Sequence, residues 1–206
     1  MRCGSSGSTT STAESSSVEG RVPSTGASLS RSLISVTACD SARSALQVSH
    51  RSSLPVFTIG VMRISIASDS LDGVAPILAS EIEKRGHTVI PHGAVTDERA
   101  DWAWCCSRAA EDVASGAADQ AVVCCWTGTG ASIAANKVPG VRAALCVDAA
   151  TAAGARRWND ANVLAISLRL TSAPLLAEIL DAWFAGSPSS EEGDQANIAY
   201  LSEMEN

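Results

Sequence analysis

From residue 62 onward the chain alternates short apolar, β-branched runs with longer segments whose apolar residues recur every three to four positions. Strands are predicted at 63–67, 88–91, 120–125, 142–147 and 162–167, and helices at 74–85, 101–115, 131–136, 148–158 and 172–185. In 74–85, Ile77, Leu78 and Ile82 share one stripe while Glu81, Glu83, Lys84 and Arg85 lie off it. Gly86 and Gly116 stand where a left-handed residue stops a helix. Five βα units of this size predict an α/β fold, a three-layer α/β/α arrangement around a five-stranded parallel sheet.

The first 61 residues lack such a period. They hold 17 Ser, no Lys, five Arg and three acids, a composition that cannot bury enough apolar surface to offset ordering entropy. Residues 1–61 are therefore expected to be a disordered Ser/Arg-rich extension, and 62–206 the working domain. Such a segment is either an organellar transit peptide or sequence upstream of the true start. Met62 directly precedes the first strand, which favours the second reading, with the true start at Met62. No charged start followed by an apolar run and a cleavage pattern marks a secretory signal.

Net charge changes the picture next. The chain carries −7, and the extension contributes +2, so the domain carries −9. With no Lys/Arg-rich run, nucleic acid and anionic membrane surfaces are excluded as partners. No stretch reaches the roughly 18 apolar residues of a spanning helix. Seven cysteines fall outside zinc spacing: Cys105-Cys106 and Cys124-Cys125 are adjacent pairs, and only three His exist. Reduced thiols in a cytoplasmic protein without a metal site are the expectation.

Ligands of such folds gather where strands run into helices at their carboxyl ends. The richest of these turns is Cys125-Trp126-Thr127-Gly128-Thr129-Gly130-Ala131-Ser132, a thiol at a strand end followed by two glycines and a helix start. It reads as an anion-binding nest of backbone N–H groups. The same setting lowers a thiol pKa, which makes Cys125 a candidate base or nucleophile. A cysteine in Ala-Val-Val-Cys-Cys is more often a small buried hydrophobe than a catalyst. By alternation Cys124 and Cys125 face opposite sides of the sheet.

The run from Cys125 to Cys146, with Asn136-Lys137-Val138-Pro139-Gly140 inside it, closely resembles the signature of the type B ribose-5-phosphate isomerase and galactose-6-phosphate isomerase family. Asn159-Asp160-Ala161-Asn162-Val163-Leu164-Ala165 resembles its second signature, and Ser68-Asp69, Gly86-His87 and Asp101-Trp102 extend the similarity from about Met62 to Ala185. The resemblance implies a Rossmann-like fold and an aldose–ketose isomerisation through a cis-enediol, with no cofactor or metal, on a small-molecule sugar or sugar phosphate. It assigns the catalytic base to Cys125 and a supporting role to Thr127. Substrate binding then falls to Asp69, Ser70, Trp126, Gly128, Thr129, Gly130, Trp158, Asn159 and Arg169. It also implies a homodimer or homotetramer with the site shared between subunits.

Departures from the pattern bear on substrate. Trp158 stands where many members have a ring-opening His, Ser70 replaces another His, and Trp126 replaces a Gly. The arginines that grip the substrate phosphate in the family are missing from Ser189-Ser190-Glu191-Glu192-Gly193-Asp194-Gln195-Ala196-Asn197, and no Lys or Arg occurs from Leu170 to Asn206. Arg169, Arg142 and Lys137 are the remaining anion partners. One expectation is an isomerase for a short, open-chain or unphosphorylated sugar. Another is persistent ribose 5-phosphate isomerisation, and a third is an impaired member acting as a sugar-binding module, with Trp126 and Trp158 stacking on the ring. His87 reads as a helix-to-strand turn residue, His92 is expected at the surface near a strand end, Trp102 along the pocket and Trp104 in packing or at a subunit contact.

Overall fold

The computed structural model describes residues 60–205. The expected disorder of 1–61 falls, apart from Gly60 and Val61, outside the described residues. Five strands are present: β1 (Arg63–Ser68), β2 (Thr88–Gly93), β3 (Gln120–Cys125), β4 (Ala143–Leu145) and β5 (Val163–Ser167). Six helices accompany them: α1 (Ala75–Glu83), α2 (Trp102–Ala114), α3 (Thr129–Ala135), α4 (Ala149–Asn159), α5 (Ala173–Ala185) and α6 (Glu192–Glu203). The strands form one parallel sheet in the order β2-β1-β3-β5-β4. None of the helices described is long and apolar enough to cross a membrane.

Each sheet face buries its own layer. On one side Ile64, Ile66, Val122, Leu164 and Ile166 meet Leu78 and Ile82 of α1, Ala152 and Ala155 of α4, and Leu176, Ile179, Leu180 and Trp183 of α5. On the other, Ala67, Ala121, Val123, Cys125 and Ala165 meet Cys105, Cys106, Ala109 and Ala110 of α2 and Ala131, Ala134 and Ala135 of α3. Cys124 and Cys125 belong to opposite layers, as strand alternation requires. The second layer is built almost entirely of Ala, Val and Cys, so α2 and α3 lie close against the sheet and against each other.

Helix starts follow side-chain chemistry. Asp101 and Asp148 cap α2 and α4 by accepting the N–H groups of Trp104 (3.3 Å) and Thr151 (2.7 Å), and Ser172 caps α5. Gly86 (φ +84°) closes the turn after α1 as expected.

Three expectations are corrected, and the tail adds an element that the pattern does not predict. The strand expected at 142–147 keeps its ladder only over 143–145, because β4 is an edge strand paired with β5 alone. Helix α3 starts two residues earlier than the apolar period suggests, since Gly128 turns the chain at φ +77° and caps it. The tail forms α6, invisible in the pattern because it buries no residue; Glu205 accepts the Gly140 N–H at 2.8 Å and Gln195 donates to the Ser189 carbonyl. His92, expected at the surface, is buried between Asp112 (2.7 Å) and Glu98 (3.1 Å), with Ser65 donating to Asp112. His87 sits in the turn before β2 as expected, buried with its ring 4.5 Å from that of Phe184 and tilted by 57°.

Candidate active site

The chain runs outward from β1 to β2 and then crosses back to β3 on the other side of β1. The carboxyl ends of β1 and β3 thus flank a topological switch point, where open α/β sheets bind ligands. Register pairs Ser68 with Cys124, so Asp69, the first residue after β1, and Cys125, the last of β3, both belong to the strand ends that flank this crevice.

Cys125 ends β3 with 5% of its surface exposed, and its Sγ accepts the N–H of Ala131 in the first turn of α3 at 3.4 Å. Among the other thiols, burial pushes Cys146 up to about 12 and raises Cys124 further, while the contact between Cys105 and Cys106 raises Cys106 and lowers Cys105. A thiol must ionise to act, and only Cys125 sits against a helix-start N–H at a strand end.

The loop after Cys125 is held from one side. The Cys125 carbonyl accepts the Leu168 N–H at 3.0 Å, and the Trp126 carbonyl accepts both the Arg169 N–H at 3.1 Å and the Ser167 hydroxyl at 2.9 Å. Gly128 donates to the Cys125 carbonyl at 3.2 Å, so its N–H serves the turn and not a ligand. The N–H groups of Thr127, Thr129 and Gly130 have no partner among the described residues, and they make the nest. The hydroxyls of Thr127 and Thr129 share a 2.6 Å hydrogen bond above it.

Gly128 is required for steric reasons, and Gly130 leaves room for a neighbouring ring. A Cβ on Gly128 would meet Leu145 Cδ1 at 2.5 Å and the Ile166 carbonyl carbon at 2.9 Å. One on Gly130 would come within 3.1 Å of the indole of Trp102, which lies over the loop as expected for a pocket wall, while Trp104 packs into the α2 layer. Trp126 is 55% exposed at the rim.

Asp69 is the least satisfied group of the site. Its Oδ1 is buried with no hydrogen-bond partner among the described residues. Burial holds its carboxyl above the usual carboxylate range, Asp72 adds to this, and a backbone hydrogen bond opposes both. Ser70 does not share that openness: its hydroxyl donates to Asp72 at 2.9 Å, and its carbonyl accepts the Ser68 hydroxyl at 2.7 Å.

Among the three anion partners, tertiary structure separates one from two. Arg169 leaves β5 beside the nest, exposed, and its guanidinium has no partner among the described residues. Arg142 is committed elsewhere, donating to the carbonyls of Asn159 and Asp160 and to the Asp160 carboxylate at 2.9 Å, where it closes the end of α4. Lys137 lies with Arg142 at the amino ends of the strands. There they line a groove of about 730 Å³ with Asn159, Leu201, Met204 and Glu205.

Trp158 and Asn159 also occupy that far end. Trp158 folds over Gly154, beside Ala144, Thr151 and Asn159. Strand β5 separates them from Cys125, and its five residues span roughly 16 Å at about 3.3 Å each. Within one chain these two residues do not meet the thiol. Ser167 went unnoticed in the sequence; its one signal is a hydroxyl ending an otherwise apolar strand, Val163-Leu164-Ala165-Ile166.

Comparison with known proteins places this geometry. The Ribose/Galactose Isomerase family matches residues 64–201. Galactose-6-phosphate isomerase subunit LacB of Clostridium acetobutylicum is 38% identical over 69% of this chain and 83% of its own. Ribose-5-phosphate isomerase B of Escherichia coli is 40% identical over 52% of this chain and 71% of its own. The structure of ribose-5-phosphate isomerase B from Clostridium thermocellum superposes with a TM-score of 0.64 at 36% identity, covering 70% of this chain and 97% of that one.

Proposed function

The chain belongs to the ribose/galactose isomerase family, and on that premise we propose that it interconverts an aldose and a ketose, as free sugar or phosphate, with Cys125 as the base. The observation that carries this reading is the Cys125 thiol, set at a strand end against the Ala131 N–H and beside a nest of three unpaired N–H groups.

The chemistry uses what these residues can do. The Cys125 thiolate takes the proton from the carbon next to the aldehyde, and the electron pair moves through the new C=C bond onto the carbonyl oxygen. The nest N–H groups and the Thr127 hydroxyl meet the resulting enediolate oxygen. After a proton passes between the two enediol oxygens, the same thiol returns its proton to the former carbonyl carbon. One carbon is oxidised and its neighbour reduced, so the step needs no external oxidant or reductant. Asp69, with an unpaired carboxyl oxygen, accepts a substrate hydroxyl.

Arg169 is the anion partner at this end of the sheet. It stands alone where a paired grip would be stronger, since the tail carries Glu191, Glu192 and Asp194 in place of arginines. A short sugar with a large open-chain fraction fits a site with Trp158 where a ring-opening His is common. In this reading Asn159 and Trp158 serve the thiol of a second copy of the chain, because they lie a strand length from their own.

The test is solvent-deuterium exchange at the carbon next to the carbonyl, over tetroses, pentoses and their phosphates. Exchange that is lost in Cys125→Ser supports the assignment. No exchange with any sugar, or undiminished exchange in that variant, rejects it. The exposed Trp126 at the rim favours a second reading, a sugar-binding module without turnover; calorimetric binding with no exchange selects it.

A further inference from the structure

Ser167 is 3% exposed at the end of β5, where a buried hydroxyl is tolerated only if its hydrogen bonds are made. Both are made within the site. It donates to the Trp126 carbonyl at 2.9 Å and accepts the Leu170 N–H at 3.2 Å, so one side chain ties the loop after β3 to the turn after β5. The Arg169 N–H reaches the same carbonyl at 3.1 Å, but it comes from an exposed turn that the Ser167 hydroxyl itself braces.

A trans peptide carries its C=O and N–H on opposite sides. Drawing the Trp126 carbonyl toward β5 therefore aims the N–H of the same peptide, that of Thr127, away from β5 and into the nest, where it has no partner among the described residues. Resting on the isomerase reading, we infer that Ser167 is a positioning residue which, through the Trp126 carbonyl, orients the Thr127 N–H as a donor to the enediolate oxygen. The donor works only where charge develops, so its orientation bears on the transition state more than on substrate binding.

Two measurements on the full-length chain test this. In Ser167→Ala, kcat for the best sugar of the exchange panel falls about tenfold or more with KM within about twofold, and Ser167→Thr, which keeps the hydroxyl, recovers most of it. A common drop in all variants, or a change in KM alone, overturns the proposal. Independently of any substrate, residual dipolar couplings of the Thr127 N–H report its direction. The coupling changes in Ser167→Ala while those of α5 do not; an unchanged Thr127 coupling overturns the proposal. If the wild-type protein exchanges no sugar, the isomerase reading fails and the catalytic role of Ser167 with it, while the coupling alone decides whether Ser167 orients the peptide.

Discussion

The Sγ of Cys125 lies 3.4 Å from the backbone nitrogen of Ala131, six residues along the chain and one helical turn into α3. That contact exists because Gly128 reverses the chain at φ +77° directly after the strand, which brings the open N–H groups of the helix start back over the thiol. One turn thus both ends β3 and sets its last side chain against a helix-start N–H.

Replacing Cys125 tests the proposed base. Cys125→Ser keeps the size and the Ala131 contact while removing the acidic thiol. Exchange at the carbon next to the carbonyl is expected to fall by roughly 10²–10⁴, with far-UV circular dichroism and the urea midpoint unchanged.

Gly128 tests whether the loop is sterically determined. Gly128→Ala forces a side chain into a left-handed residue and against the Ile166 carbonyl. A loss of about 2–3 kcal/mol is expected, read as a lowered urea midpoint with an unchanged slope.

Arg169 separates phosphorylated from free sugars. Arg169→Gln removes the unpaired cation beside the nest, and a charge-assisted bond is worth roughly 1.5–3 kcal/mol. KM for a sugar phosphate is expected to rise about tenfold or more, while KM for the corresponding free sugar stays the same. Equal effects on both would mean that Arg169 does not meet the phosphate.

Asp69 links function to pH. Burial raises its carboxyl in the folded protein above its unfolded value, so the folded state binds the proton more tightly. The cost of its ionisation therefore grows as pH rises from the ordinary aspartate value of 3.8 toward the folded value, is complete above that, and disappears below 3.8. Asp69→Asn is therefore expected to be more stable than the wild type at neutral pH, with the advantage shrinking toward acid pH in urea unfolding curves, and to lose isomerase activity. An advantage that grew on acidification would contradict this sign.

Much of the architecture was legible from local pattern. The period of two in Ile64 and Ile66 against that of three to four in Leu78 and Ile82, with a glycine such as Gly86 at a helix end, marks βα units because backbone geometry repeats within a few residues. The Cys125 to Gly130 turn was legible for the same reason: a thiol, two glycines and a helix start are chemistry within one short segment. Helix α6 was not, since it buries no residue and so carries no apolar stripe. Nor were His87 and His92, whose burial depends on Phe184, Asp112 and Glu98 from distant positions.

The choice among the cations shows the boundary most clearly. Composition leaves Lys137, Arg142 and Arg169 as three basic residues flanking the recognisable segments, and only the family resemblance sets Arg169 apart as a substrate-binding residue. Strand order and direction put the first two at the amino ends of the strands, with Arg142 closing α4, and the third beside the thiol. The same geometry sets Asn159 a strand length from Cys125 and brings Ser167 onto the Trp126 carbonyl. Periodicity encodes which face of an element is apolar, and so yields the layers; it is silent on which strand lies next to which, because pairing is a long-range choice made by the packing of the whole sheet.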